Sequence, residues 1–163
     1  MPSRIPNPAL SVPGLLDALQ SLSKAADDAA GRAGLPRTTL ELVNIRASQI
    51  NGCAVCLDMH TRGAKKAGET DERLFTLAAW RDTPYFTDAE RAALALAEAG
   101  TRLADQTEPV PDAVFDEAAK HYDEAALAAL VVCIAAINTW NRLAISLRAV
   151  PGSYQRNTTA AAQ

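Results

Sequence analysis

The chain is poor in aromatic side chains, with two Trp, three Tyr and three Phe among 163 residues, and carries no long run of one charge. Its formal charge is only −3. A protein without a basic patch lacks the electrostatic footprint that binds nucleic acid. The longest apolar run, AALAALVVCIAAI from Ala125 to Ile137, is shorter than the roughly 20 residues that span a bilayer, and it reads as a buried core helix. Met1 is followed by PSRIPNPALSVPG, not by a basic segment and an apolar stretch, which predicts no secretory signal, no membrane contact and a cytoplasmic location. A glycine-rich nucleotide motif is missing as well, so no bound cofactor is expected and a nicotinamide could act only indirectly. Three cysteines do not make a disulfide framework. In a cytosolic chain, a close pair points instead to redox chemistry or metal binding.

Runs of alternating apolar and polar residues rich in Val, Ile or Tyr are also scarce, which argues against strands. Alanine and leucine supply most of the apolar mass, and both favour helix. The punctuation predicts a single all-helical domain of about six or seven helices, with a core over residues 12–152. A first helix runs from Val12 to Arg32, with Pro13 near its start. Thr38 opens a second, with Leu40, Val43, Ala47 and Ile50 on one face. Asn51-Gly52 is a turn, and a helix from Cys53 to Ala67 follows, ended by Gly68. Further helices are expected over Asp71–Arg81, from a Thr87/Glu90 capping box to Leu103, over Pro111–Tyr122, and over Asp123–Arg148. The last residues, 153–163, read as a frayed tail.

The chemistry concentrates in NGCAVCLDMH, residues 51–60. On a helix stepping about 100° per residue, Cys56 lies near −60° and His60 near −20° relative to Cys53, so the three share one stripe. The first helical turn favours an anion, which lowers the pKa of a thiol placed there. His60, four residues after Cys56, can take or share its proton. The CxxC spacing sets a second sulfur close enough to resolve an oxidised one. If the helices on either side of Asn51-Gly52 form an antiparallel hairpin, Glu41 falls opposite His60, which orders the groups Glu41, His60, Cys56, Cys53. Simpler readings stand beside this one. Both cysteines could be core residues, His60 a satisfied core histidine, and Glu41 the second half of a Thr38-x-x-Glu41 capping box. A zinc site is a further alternative, with Cys53, Cys56 and His60 needing a fourth ligand from Glu41, Cys133 or His121. So is a non-catalytic oligomeric helical protein that keeps the stripe for packing.

The stretch from Glu41 through His60, the segment WRDTPYFTDAERAALALAEA (Trp80 to Ala99) and the ending INTWNRLAISLRAVPG resemble the alkylhydroperoxidase AhpD-like family of the carboxymuconolactone decarboxylase superfamily. The resemblance covers roughly residues 36 to 152, and its Glu-x11-Cys-x2-Cys-x3-His pattern is far more specific than a lone CxxC. It implies an all-helical fold assembled as a homotrimer or homohexamer. It also implies a peroxidase that reduces alkyl hydroperoxides. By position, Cys56 resembles the peroxidatic thiol, Cys53 the resolving thiol, and His60 and Glu41 the proton relay. An external dithiol, in the family a lipoyl-type donor, would reopen the disulfide. The best-studied branch carries a histidine directly before the second cysteine, where this chain has Val55. The decarboxylase branch lacks the cysteine pair altogether.

Elsewhere, Cys133 reads as core and His121 as a helix-end surface cap. Trp80, Tyr85 and Phe86 read as core or as a subunit contact, with contact favoured. Asn138, Trp140, Asn141 and Arg142 interrupt the most apolar helix with polar groups. These need partners on another helix or subunit, or else line the pocket.

Overall fold

The computed structural model describes residues 3–4, 12–105 and 107–152. Seven α-helices and two short 3₁₀ segments make up the regular structure among them, and no strand occurs there. The helices are α1 (Leu15–Arg32), α2 (Arg37–Asn51), α3 (Ala54–Lys66), α4 (Asp71–Thr76), α5 (Asp88–Thr101), α6 (Asp112–Ala119) and α7 (Glu124–Leu147). The expected frayed tail, 153–163, lies outside the described residues.

Most boundaries follow the punctuation, and the departures have local causes. Helix α2 starts one residue before Thr38, because Pro36 occupies the N-cap in an extended conformation. Proline's fixed φ suits it to a helix start. Thr38 therefore caps nothing, and the Thr38/Glu41 capping box does not form. Gly14, in a left-handed conformation, caps α1, which places Pro13 ahead of that helix. The helix expected over Asp71–Arg81 breaks after Thr76 into a 3₁₀ segment, Leu77–Asp82, kinked at Ala79. The kink turns Leu77 and Trp80 inward, where both are buried. The Thr87/Glu90 capping box forms as expected, with both reciprocal bonds present.

Helix α2 is the centre of the bundle. Nine of its fifteen residues are buried, from Thr39 through Ser48, and α3, α5 and α7 all pack against it. One apolar cluster joins it to α1, α5, α6 and α7 through Leu40, Val43, Leu96, Ala97, Leu130 and Ile134. A second joins it to α3, α5 and the 3₁₀ segment through Leu42, Ile45, Ala64, Leu77, Trp80, Phe86 and Leu94. A third, made of Ala47, Cys53, Cys56 and Ile137, lies where α2, α3 and α7 meet. Helix α7 is long and apolar enough, by composition, to cross a membrane. Here it packs along α1 and α2.

Trp80 and Phe86 are buried inside this one chain, which corrects their assignment to a subunit contact; Tyr85 alone of the three is exposed. Trp80 is held there by a polar partner. Its indole N–H donates to Glu98 Oε1 at 3.0 Å, and Arg46 on α2 donates to the same oxygen at 2.7 Å. Arg81 and Arg102 reach the other oxygen at 2.8 and 3.3 Å. Burial alone would raise the Glu98 pKa. The bonds from Trp80, Arg81 and Arg46 outweigh it and bring the value down to about 2.

Because its folded pKa lies below the unfolded value of about 4.3, Glu98 adds stability above that pH and loses it as pH falls toward about 2. Glu98→Gln should therefore lower the unfolding free energy at pH 7 by about 2–3 kcal/mol. It should also flatten the acid side of the stability profile. Urea denaturation of both proteins between pH 7 and pH 3 measures this, and parallel profiles would contradict the assignment.

Candidate active site

The site is built around the turn that joins α2 to α3. Gly52 adopts φ +75°, ψ 33° and ends α2. A left-handed residue is required there, and glycine takes it without the penalty a side chain brings. Cys53 follows in an extended conformation as the N-cap of α3, and its sulfur accepts from the Cys56 N–H at 3.3 Å. The sequence reading set Cys53 inside the helix; it stands just before it. Cys56 is then in the first turn, where unpaired backbone N–H groups and the helix dipole favour a negative sulfur.

The turn is fastened to α7 by amides and a hydroxyl. Asn51 Nδ2 donates to the side-chain oxygens of Asn138 and Asn141, each at 2.9 Å. Asn141 donates to Ser48 Oγ at 3.1 Å, and the Cys53 N–H donates to the Ser48 carbonyl at 3.0 Å. Asn138 also reaches Thr101 on α5 at 3.1 Å, while the Trp140 indole meets Ser23 on α1 at 2.9 Å. Asn138, Trp140 and Asn141 thus meet other helices of the same chain, while Arg142 donates back to Asn138 on its own helix.

Cys53 and Cys56 are joined by a disulfide with a Cα–Cα distance of 5.4 Å. Both are buried against Ala47 and Ile137. One turn further along α3, His60 Nδ1 lies 2.7 Å from Glu41 Oε2. The hairpin expected about Asn51-Gly52 is present, and it crosses Glu41 with His60.

Glu41 is almost fully buried, at 2 % exposure, which would be very costly for an isolated carboxylate. Arg37, one turn earlier, resolves this by donating Nε and Nη2 to Glu41 Oε1 at 2.9 and 2.6 Å. Arg37 in turn is anchored by Asp27 on α1 at 2.8 Å. Burial pushes the Glu41 pKa up, but the bonds and charges of His60 and Arg37 outweigh it and hold the carboxyl below its usual range. An ionised carboxylate only accepts, so Nδ1 of His60 carries the proton. A neutral imidazole then has its basic lone pair on Nε2.

Two residues of this arrangement escaped the sequence reading. Arg37 was legible in principle as an i, i+4 partner of Glu41. Gly63, three residues after His60, left no such signal. A Cβ there would meet Glu41 Oε1 at 2.8 Å and Cδ at 3.0 Å, so the bare backbone of α3 makes room for the carboxylate.

Other expected residues lie apart from the site. Cys133 is a free, buried thiol whose pKa burial pushes up to about 11. His121 follows α6 with Nε2 3.5 Å from Glu117, in keeping with a helix-end cap. Among the described residues no group of three His, Cys, Asp or Glu side chains converges as metal ligands. The bond between Cys53 and Cys56 leaves neither sulfur as a thiolate ligand.

Gly63→Ala should push the Glu41 carboxylate off His60, because the added Cβ would lie 2.8 Å from Oε1. The expected loss is about 1–3 kcal/mol of stability, with a shift of the His60 ring resonances. A ¹H–¹⁵N correlation spectrum unchanged at His60 would show that the close approach of Gly63 is not what admits the carboxylate.

This geometry has counterparts in known proteins. Residues 13–99 match the model of the carboxymuconolactone decarboxylase family. The uncharacterised protein YdfG of Bacillus subtilis is 43 % identical over 116 residues, 71 % of this chain and 78 % of that one. The alkyl hydroperoxide reductase AhpD of Bradyrhizobium diazoefficiens is 37 % identical over 49 residues, only 30 % of this chain and 27 % of its own length. A crystal structure from Agrobacterium tumefaciens, of a protein of unknown function suggested to be the antioxidant defence protein AhpD, superposes with a TM-score of 0.81. It is 33 % identical and covers 92 % of this chain and 98 % of its own. With its buried Glu-His pair one turn from a CxxC disulfide, this chain belongs to the carboxymuconolactone decarboxylase family, in its AhpD-like group.

Proposed function

We propose that the protein is a thiol-dependent peroxidase that reduces alkyl hydroperoxides through Cys56 and Cys53. The observation that carries this reading is the Glu41–His60 hydrogen bond one helical turn from the cysteine pair. It leaves the basic lone pair on Nε2 of His60, four residues after Cys56 on the same helix. The match to AhpD proteins covers about a quarter of their length, so the activity rests on the site's chemistry as much as on kinship.

In the reduced protein, His60 takes the Cys56 proton, and the α3 N-terminus stabilises the thiolate. Glu41 stabilises the resulting imidazolium, while Arg37 keeps Glu41 ionised. The thiolate attacks the terminal peroxide oxygen, the O–O bond breaks, and His60 returns its proton to the leaving alkoxide. Cys56 is now a sulfenic acid. Cys53 attacks that sulfur and water leaves, which gives the disulfide seen here. An external dithiol of the lipoyl type completes the cycle. A reducing cytoplasm suits such a cycle, since thiols must reopen the bond. We also assign the exposed apolar strip of α6 and α7, with Phe115, Val131 and Val132, to contact between copies in a homotrimer or homohexamer.

Stopped-flow mixing of pre-reduced protein with an organic hydroperoxide tests the reading. The expected rate is far above that of free cysteine, with two thiols consumed per chain. Cys56→Ser should abolish it. His60→Gln should slow it about 10²- to 10⁴-fold, with Glu41→Gln slowed in the same direction. A wild-type rate no better than free cysteine would end the peroxidase assignment.

A further inference from the structure

The cleft beside the disulfide is lined by Gly52, Cys53, Ala54 and Val55 from the turn and the start of α3, and by Ala144, Ile145, Arg148 and Ala149 from the end of α7. It encloses about 200 Å³. Cys53 lines it and Cys56 does not, though both are buried, at 1 % and 3 % exposure. The cysteines are joined here, so this is the form that an incoming reductant meets. Arg148 is the cleft's single charged residue. It is exposed, makes no ion pair among the described residues, and ends α7 in a left-handed conformation with φ +54°. A second cation stands at the same helix end, where Arg4 Nη1 donates to the Ser146 carbonyl at 3.2 Å. The remaining walls are small or apolar.

We infer that this cleft is the entry port for the reducing thiol, that Cys53 is the sulfur attacked, and that Arg148 selects thiols carrying a negative charge. The inference deepens the reading above, because it needs a disulfide that opens and closes. Thiol–disulfide exchange requires the attacking, central and leaving sulfurs to lie nearly in line. Attack through the cleft on Cys53 forms a bond between donor sulfur and Cys53 Sγ and breaks Cys53–Cys56. The electron pair leaves on Cys56, the sulfur at the α3 N-terminus and one turn from His60, the place where a thiolate is best stabilised. A second donor thiol then attacks the donor sulfur of the mixed disulfide and frees Cys53. The donor ends as a disulfide, its two protons pass to the two cysteines, and the protein is reduced by two electrons. The port thus separates the two half-reactions. Reductant enters at Cys53, and peroxide is reduced at Cys56.

A matched series of monothiols tests this on the oxidised full-length chain: anionic 2-mercaptoethanesulfonate, neutral 2-mercaptoethanol and cationic cysteamine. Each rate is compared between wild type and Arg148→Gln, so that the reagent's own reactivity cancels. The expected result is a loss of about two- to fivefold for the sulfonate, the size of an exposed charge pair, with no loss for the other two reagents. Arg148→Lys should restore the sulfonate rate, and added salt should erase the difference. After alkylation of the freed thiol, fragmentation of the peptide holding both cysteines should place the adduct on Cys53. Equal slowing of all three reagents would overturn the selectivity, and an adduct on Cys56 would overturn the port. Neither readout uses peroxide, so failure here is distinct from failure of the peroxidase assignment.

Discussion

The structure depends on a carboxylate placed where water cannot reach it. Glu41 lies in the middle of the most buried helix of the bundle. A buried charge survives only with partners that offset its lost hydration. Those partners come from three directions. Arg37 comes from its own helix, His60 comes from α3 across the hairpin, and the gap at Gly63 admits the oxygens. Asp27 on α1 then anchors Arg37. One ionised group thereby fixes the register of α3 against α2 and ties α1 to both. It also sets the tautomer of His60. The feature that organises the fold here is the feature that organises the proton.

The cysteine pair is held by different means. Backbone and side-chain hydrogen bonds do the work, with Gly52 turning the chain and Ser48, Asn51, Asn138 and Asn141 pinning the turn to α7. Neutral amides suit this role. They satisfy one another in the interior and leave the local electrostatic field to the α3 N-terminus and to His60. The two supports meet in α3, whose start is set by the amide network and whose middle is set by the carboxylate. A rigid helix of 13 residues transmits both constraints, which is how groups from four helices converge on one site.

Much of this was legible from the residues. Helix number, the Asn51-Gly52 turn and the pairing of Glu41 with His60 all follow from period, punctuation and the reach of an α-helix. Two readings failed and one partner was missed, the first for a local reason and the others because the fold chose the partner. Thr38 reads as a cap, yet Pro36 already holds that position. Trp80 and Phe86 read as surface for a partner, yet the kink at Ala79 and the acceptor at Glu98 draw them inside. Arg37 was overlooked because an i, i+4 pair is usually a weak surface feature; burial of Glu41 is what makes it matter.

The sequence by itself determined the helices and the spacing of Cys53, Cys56, His60 and Glu41, because periodicity and spacing are local properties that survive in any packing of those helices. Tertiary structure decided which Glu41 oxygen each of Arg37 and His60 takes, that the carboxylate lies against Gly63, and that Cys53 lines the cleft beside the disulfide. Those facts depend on distances between segments far apart in the chain. Such distances exist only once apolar burial has brought α2, α3 and α7 together.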